Sequence, residues 1–221
     1  MDKNVRDINS TENINSCLML AMNLSTPVSL GCVFKEEDLK DTGVELDSHI
    51  TLLYAQGKRI EHVGLLSGVK EILGDEDWRW LEGMIRGDEF YSVLDLFELG
   101  SFENDSDYLV LKLRKGSPLF KVLSLINKGL SIKEEVKSDF ATYIPHLSLA
   151  ELEPGKAKKY LENETLREIL GDSIVGVEDL FISYGNKNEP TDREQRWLTS
   201  WKCVDRFFRL INLKKELESL M

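Results

Sequence analysis

The chain has 221 residues, with 28 Lys and Arg against 39 Asp and Glu, for a formal net charge of −11. That balance excludes a protein that grips a nucleic-acid duplex by neutralising phosphates, and one that rests on an anionic membrane. Apolar residues make up 42% and charged residues 30%, the composition of a soluble globular chain of one or two domains.

Residues 1–15 form a polar, Asn-rich lead-in, unlike a signal or transit peptide, and read as flexible. Ser16 to Leu24 is the first strand candidate. Its apolar run, Cys17 to Met22, is far short of the roughly 20 residues that span a bilayer. Leu30 to Phe34 continues as a hairpin or leads into a short helix at Lys35 to Asp41. His49 to Tyr54 alternates as a strand does. Ile60 to Leu73 carries Val63, Leu66, Val69, Ile72 and Leu73 at helical spacing, with Gly74 as its stop. Asp75 to Asp88 is irregular and reads as an insertion.

Phe90 to Phe102 and Tyr108 to Arg114 are strand-like, and the polar cluster Glu103 to Asp107 joins them as a hairpin. Ser117 and Pro118 open a helix that runs to about Gly129. Thr142 to Leu152 is a strand, Lys156 to Leu170 a helix closed by Gly171, and Val175 to Tyr184 a strand. Gly185 to Glu194 is a loop, after which Arg196 to Trp201 pairs back. Residues 202–221 place Val204, Phe207, Phe208, Ile211, Leu217 and Leu220 near one helical face. Such an amphipathic helix docks on its own domain or forms a homo-oligomer contact. The order of elements suggests an α+β fold built from two similar halves.

Cys17, Cys32 and Cys203 are odd in number and lack metal-type spacing. Two of them sit in apolar strand-like runs and read as small buried hydrophobes, and a reducing cytoplasm fits.

The three histidines are more informative. His49-Ile50-Thr51-Leu52 and His146-Leu147-Ser148-Leu149 share one word: His, aliphatic, hydroxyl residue, Leu. From this composition one histidine falls in such a context by chance about one time in two hundred, so two of three is not an accident. His62, inside a helix candidate, reads as structural or surface. In a strand, residues i and i+2 share a face. His49 and Thr51 therefore project together, as do His146 and Ser148, while the intervening aliphatics bury behind them. Two imidazoles and two hydroxyls around one cleft suit phosphodiester cleavage. One histidine takes a proton from the attacking oxygen and the other gives one to the leaving oxygen. The hydroxyls bond the non-bridging phosphate oxygens. No metal or other cofactor is called for, and no third or fourth zinc ligand stands at a usual spacing.

The paired words resemble the two-histidine (2H) phosphoesterase superfamily. The likeness covers Ser16 to Trp201, with residues 1–15 and 202–221 outside it. The stretches Ser48 to Tyr54, the Gly100 to Leu113 hairpin, and His146 to Ala150 followed by Pro154 to Tyr160 are most similar to the 2′-5′ RNA ligase-like branch common in bacteriophages. The resemblance implies a bilobal, pseudo-two-fold fold, with two antiparallel sheets flanking a central cleft and helices outside. It implies a metal-independent hydrolase acting on 2′,3′-cyclic, 2′-5′-linked or cyclic-oligonucleotide phosphodiesters, and some phage members degrade immune second messengers. By motif position His49 and His146 are the acid–base pair, in either assignment, and Thr51 and Ser148 bind phosphate. Ser148 stands where Thr is common and keeps the hydroxyl. Tyr54 and Tyr143, which flank the words, and Phe140 are candidates to stack on a base, with ordinary packing the alternative.

The acidic surface favours a small nucleotide substrate in the cytoplasm (the host's, if the protein is viral) over duplex nucleic acid or membrane. An RNA-end enzyme that opens 2′,3′-cyclic phosphates or joins 2′-5′ ends is the second reading. It would use a basic track, for which Lys112, Arg114, Lys115, Lys121, Lys128, Lys133 and Lys137 are the nearest cluster. A non-catalytic nucleotide sponge has no need of paired acid–base groups. A structural module would rest on the C-terminal helix alone.

Overall fold

Strand-forming runs dominate the architecture and position the two histidine words. The computed structural model describes residues 14–25, 30–45, 48–87, 90–137, 142–186 and 189–198. Phe140, Cys203 and the C-terminal segment 202–221 lie outside the described residues.

The strands are β1 (Ile14–Leu24), β2 (Leu39–Val44), β3 (His49–Ala55), β4 (Tyr91–Ser92), β5 (Phe97–Glu103), β6 (Asp107–Leu113), β7 (His146–Leu152), β8 (Ile174–Asn186) and β9 (Glu189–Trp197). The helices are α1 (Leu65–Arg86), α2 (Val93–Leu96), α3 (Pro118–Lys133), α4 (Ala157–Leu161) and α5 (Glu164–Gly171). The fold is α+β. Its strands run in the order β4-β8-β1-β3-β7-β6-β5, with β2 added to β7 and β9 to β8, and every pairing is antiparallel. The sequence reading has two separate sheets. The structure joins the strands of both halves into one, through the single pair Ile50 and Leu147 between β3 and β7.

One face of the sheet carries the main core. Leu18, Leu20, Ile50, Leu52, Leu109, Leu111, Leu147 and Leu149 bury there with Val69, Leu81 and Ile85 of α1 and Leu119, Leu123, Ile126 and Leu130 of α3. Each such side chain contributes about 1.5–3 kcal/mol by leaving water. Ser117 caps α3, its hydroxyl accepting from the Phe120 amide at 3.2 Å, with Pro118 at the first position.

The departures from the sequence reading trace to particular residues and strand pairings. Gly74 does stop a helix, having φ 68°, but Asp75 to Arg86 resumes as a second helical length rather than an irregular insertion. Gly129 does not end α3. A Cβ there would stand 2.7 Å from the Ile72 side chain, so the glycine allows α1 and α3 to approach closely. Lys156 to Leu170 is two helices, because Asn163 caps a new one by accepting from the Leu166 amide at 2.9 Å. Residues 189–194 belong to β9, paired with β8, rather than to a loop, and residues 39–44 form a strand. β1 begins at Ile14, within the expected lead-in.

Cys17 is half-buried, and Cys32 is exposed rather than buried. Among the described residues no helix is long and apolar enough to cross a membrane.

Candidate active site

Each histidine word opens a strand, and the two strands carry the same fault at the same place. Along β3, Thr51 lies opposite Met19 and Leu53 opposite Leu18, so Leu52 is an extra residue. Along β7, Ser148 lies opposite Val110 and Ala150 opposite Leu109, so Leu149 is extra. Both are β-bulges at the fourth residue of the strand. The burial sequences agree: half-buried, buried, half-buried, buried, buried, then a more open residue and a buried one. The bulge turns two consecutive residues to the core and brings the sixth, Tyr54 or Glu151, back to the histidine side.

The pair Ile50 and Leu147 sets the register between the words. Since the strands are antiparallel, one step either way puts His49 opposite Ser148 and Thr51 opposite His146. Ile50 and Leu147 point to the core at 0% and 1% exposure, so all four polar side chains point to the other face. The sequence-predicted quartet is thus brought together by the one strand pair that, among the described residues, joins the halves. Cross-strand neighbours have Cβ atoms about 4.5–5.5 Å apart, a spacing at which the four groups can share one phosphate.

Thr51, His146 and Ser148 line a cleft of about 960 Å³. His49 is not among its lining residues, yet it acts electrostatically on His146. Tyr54 and Tyr143 line it too, together with Lys58 and Gln56 after β3, Phe102 and Tyr108 from the β5–β6 hairpin, and Asn127 from α3. Tyr54 is 48% exposed and its ring is open to a ligand. Tyr143 is partly committed already, for its hydroxyl donates to the Thr51 carbonyl at 2.9 Å. Burial raises the Tyr143 pKa well above the ordinary value, so that proton stays on the oxygen. Phe140 lies outside the described residues.

His146 is fixed more fully than a surface histidine. Its Nδ1 lies 2.8 Å from the Ile144 carbonyl, and a carbonyl only accepts, so Nδ1 carries the proton and Nε2 keeps its lone pair. The Phe102 ring stands edge-on to the imidazole at 4.8 Å between centroids and 74° between planes. Burial lowers the His146 pKa; the Ile144 bond opposes this, while His49 and Lys112 add to it. A neutral imidazole with Nε2 unprotonated is able to accept a proton there.

Sequence reasoning did not single out Asn127, Lys58, Phe102 or Tyr108. Asn127 left a signal, as an amide between Leu123, Ile126 and Leu130 on the buried side of α3. Its Nδ2 donates to the Leu52 carbonyl at 2.7 Å and so satisfies the backbone at the bulge. The other three depend on hairpin and turn geometry and left none. Of the residues named for a basic track, Arg114 donates to the Leu94 carbonyl, Lys121 pairs with Asp77 and Lys133 with Glu71. Only Lys137 of that cluster lines the cleft, and the lining charges balance as Lys58 and Lys137 against Glu103 and Glu135. His62 lies before α1, with Nδ1 buried and no hydrogen-bond partner among the described residues. Among the described residues no three His, Cys, Asp or Glu side chains converge as a metal-ligand set.

No protein-family model matches the chain, and no curated protein does. Among solved structures it is similar to Usb1 of Kluyveromyces marxianus, at 12% identity and a TM-score of 0.40, covering 84% of this chain and 98% of that one. It is similar also to the structure of the same protein with uridine monophosphate, at 13% identity and a TM-score of 0.37, with the same coverage. Likenesses this distant leave the site to be read from its own residues.

Proposed function

We propose that the chain is a metal-independent phosphodiesterase of the two-histidine type, in the 2′-5′ RNA ligase-like branch, acting in the cytoplasm on a small nucleotide. The observation that carries this reading is the register around Ile50 and Leu147, which sets an imidazole opposite a hydroxyl twice over on one sheet face. A phosphodiester seated between them receives hydrogen bonds from Thr51 and Ser148 on its non-bridging oxygens. His146 Nε2 removes the proton from the attacking hydroxyl or water, and protonated His49 supplies one to the leaving oxygen. Substrates are cyclic oligonucleotides or 2′-5′-linked nucleotides, and a phage role in removing immune second messengers is the biological setting. The balanced cleft inside a shell of charge −11 favours a small substrate over a polymer.

The test is an assay of the full chain in EDTA against 2′,3′-cyclic nucleotides, cyclic di- and trinucleotides, 2′-5′ oligoadenylate and a long RNA, with products read by mass spectrometry. Cleavage of a small phosphodiester in EDTA is expected. Turnover only of the long RNA would shift the reading to an RNA-end enzyme, and binding without turnover to a sponge.

A further inference from the structure

His146 sits at the end of a short chain of contacts on its own face of the sheet. Lys112 on β6 lies directly opposite His146 on β7. Lys112 is absent from the cleft lining. Instead the side chain folds back across β5. Nζ donates to the Ser101 carbonyl at 2.8 Å and stands 4.6 Å from the centroid of the Phe102 ring. The other side of that contact chain is the edge-on packing of Phe102 against His146. The ring is thus held between an ammonium and an imidazole, with the cation–π attraction pinning it.

Gly100 makes the path of the lysine available. A Cβ there would meet Lys112 Cε at 3.0 Å, and Cδ and Nζ at 3.1 Å. These are the far atoms of a flexible side chain, so a Cβ there would press the lysine aside by a few tenths of an ångström before it disturbed the strand. Glycine inside a strand is otherwise unfavourable, and close approach by another group is a recognised reason for one.

We propose that Lys112 is a positioning residue, which pins Phe102 against His146 and thereby fixes the imidazole with Nδ1 on the Ile144 carbonyl and Nε2 toward the cleft. The positioning is a property of the fold, while its use in catalysis rests on the phosphodiesterase reading above. Besides Lys112, His49 acts electrostatically on His146, and the titratable and charged groups that share its cleft are Tyr54 and Lys58 after His49 on the β3 side, Glu103 and Tyr108 from the hairpin, and Glu135, Lys137 and Tyr143 between α3 and β7. None of these changes in the variants below. Removing the lysine charge and loosening Phe102 each ease protonation of His146, while loss of the Ile144 bond, which favours the protonated ring, opposes it, so the tautomer rather than the midpoint is the deciding readout.

Nuclear magnetic resonance of the histidine ring nitrogens tests this on the full chain without substrate. In Lys112→Met, and in smaller measure in Gly100→Ala, the Nδ1-protonated tautomer of His146 should lose population. Lys112→Arg, which keeps the charge, should restore wild-type behaviour. An unchanged His146 tautomer in both Lys112→Met and Gly100→Ala would overturn the proposal. Gly100→Ala keeps the test available should Lys112→Met fail to fold. On a cleaved dinucleotide, the same variants should lower kcat with KM nearly kept, by less than the about hundredfold loss expected for His146 itself. If no substrate is cleaved by the wild type, the phosphodiesterase reading fails while the ring measurements still decide the role of Lys112.

Discussion

The two halves of the sheet offer the same device built in different ways. β3 and β7 each begin with a histidine word and each carry a bulge at the fourth residue. Each bulge frees a backbone carbonyl that must find a donor. At Leu52 the donor is the Asn127 side chain of α3, at 2.7 Å. At Leu149 it is the backbone amide of Glu45, at 2.9 Å. The surroundings of the histidines differ as well. His146 has Ile144, Phe102 and the cleft wall around it, while His49 stands off the lining. The two histidines thus share a backbone geometry and differ in what packs against them.

The largest effects should come from the words themselves. His49→Ala and His146→Ala should each lower kcat by about a hundredfold or more. Either variant turning over at the wild-type rate would remove that histidine from the reaction. Thr51→Val and Ser148→Ala should each cost about a hundredfold, the usual effect of losing one donor to a charged oxygen in the transition state. Similar losses for the two would show that both halves hold the phosphate. A loss confined to one would show that the halves differ at the phosphate as well as at the bases.

The bulge carbonyls give a smaller, purely structural contrast. Asn127→Ala leaves the Leu52 carbonyl without its side-chain donor and should destabilise the protein by about 1–3 kcal/mol in chemical denaturation. The other half offers no counterpart, since the Glu45 donor is main chain. Wild-type stability in Asn127→Ala would mean that water satisfies the carbonyl instead.

Much of this was legible in the sequence. The words His49-Ile50-Thr51 and His146-Leu147-Ser148 lie on strands with the polar residues on one face, as their alternation predicts. The α3 cap at Ser117 and the β5–β6 hairpin also follow from local residues. What was hidden depends on partners far away in the chain. Leu39 to Val44 has little strand character of its own and is held at its two ends, Leu39 beside Leu152 and Val44 beside Ala150. Gly129 reads as a helix stop until Ile72 is seen against it. Tyr143 reads as either a stacking ring or ordinary packing, and the bond from its hydroxyl to the Thr51 carbonyl has no mark in the sequence. The bulges themselves leave no mark in a run such as Leu52-Leu53, because two core-facing leucines look like ordinary apolar strand.

The smallest effect to seek is in pH dependence, and it separates the halves most directly. Burial, His49 and Lys112 together lower the His146 pKa from the ordinary histidine value near 6.5, against the opposing Ile144 bond. The folded protein then binds fewer protons at His146 than the unfolded chain does. The stability from this group is therefore fully present above about pH 6.5, and it is lost as pH falls from there through the folded value. The same shift keeps Nε2 available as a base below pH 6.5, so the acid limb of kcat/KM should begin under the usual histidine range. A titration of the ring signals of both histidines, set beside the rate profile, decides the assignment. If the acid limb follows the His146 midpoint, His146 is the base. A limb that follows His49 instead would reverse the roles and leave the His146 surroundings to serve the leaving group.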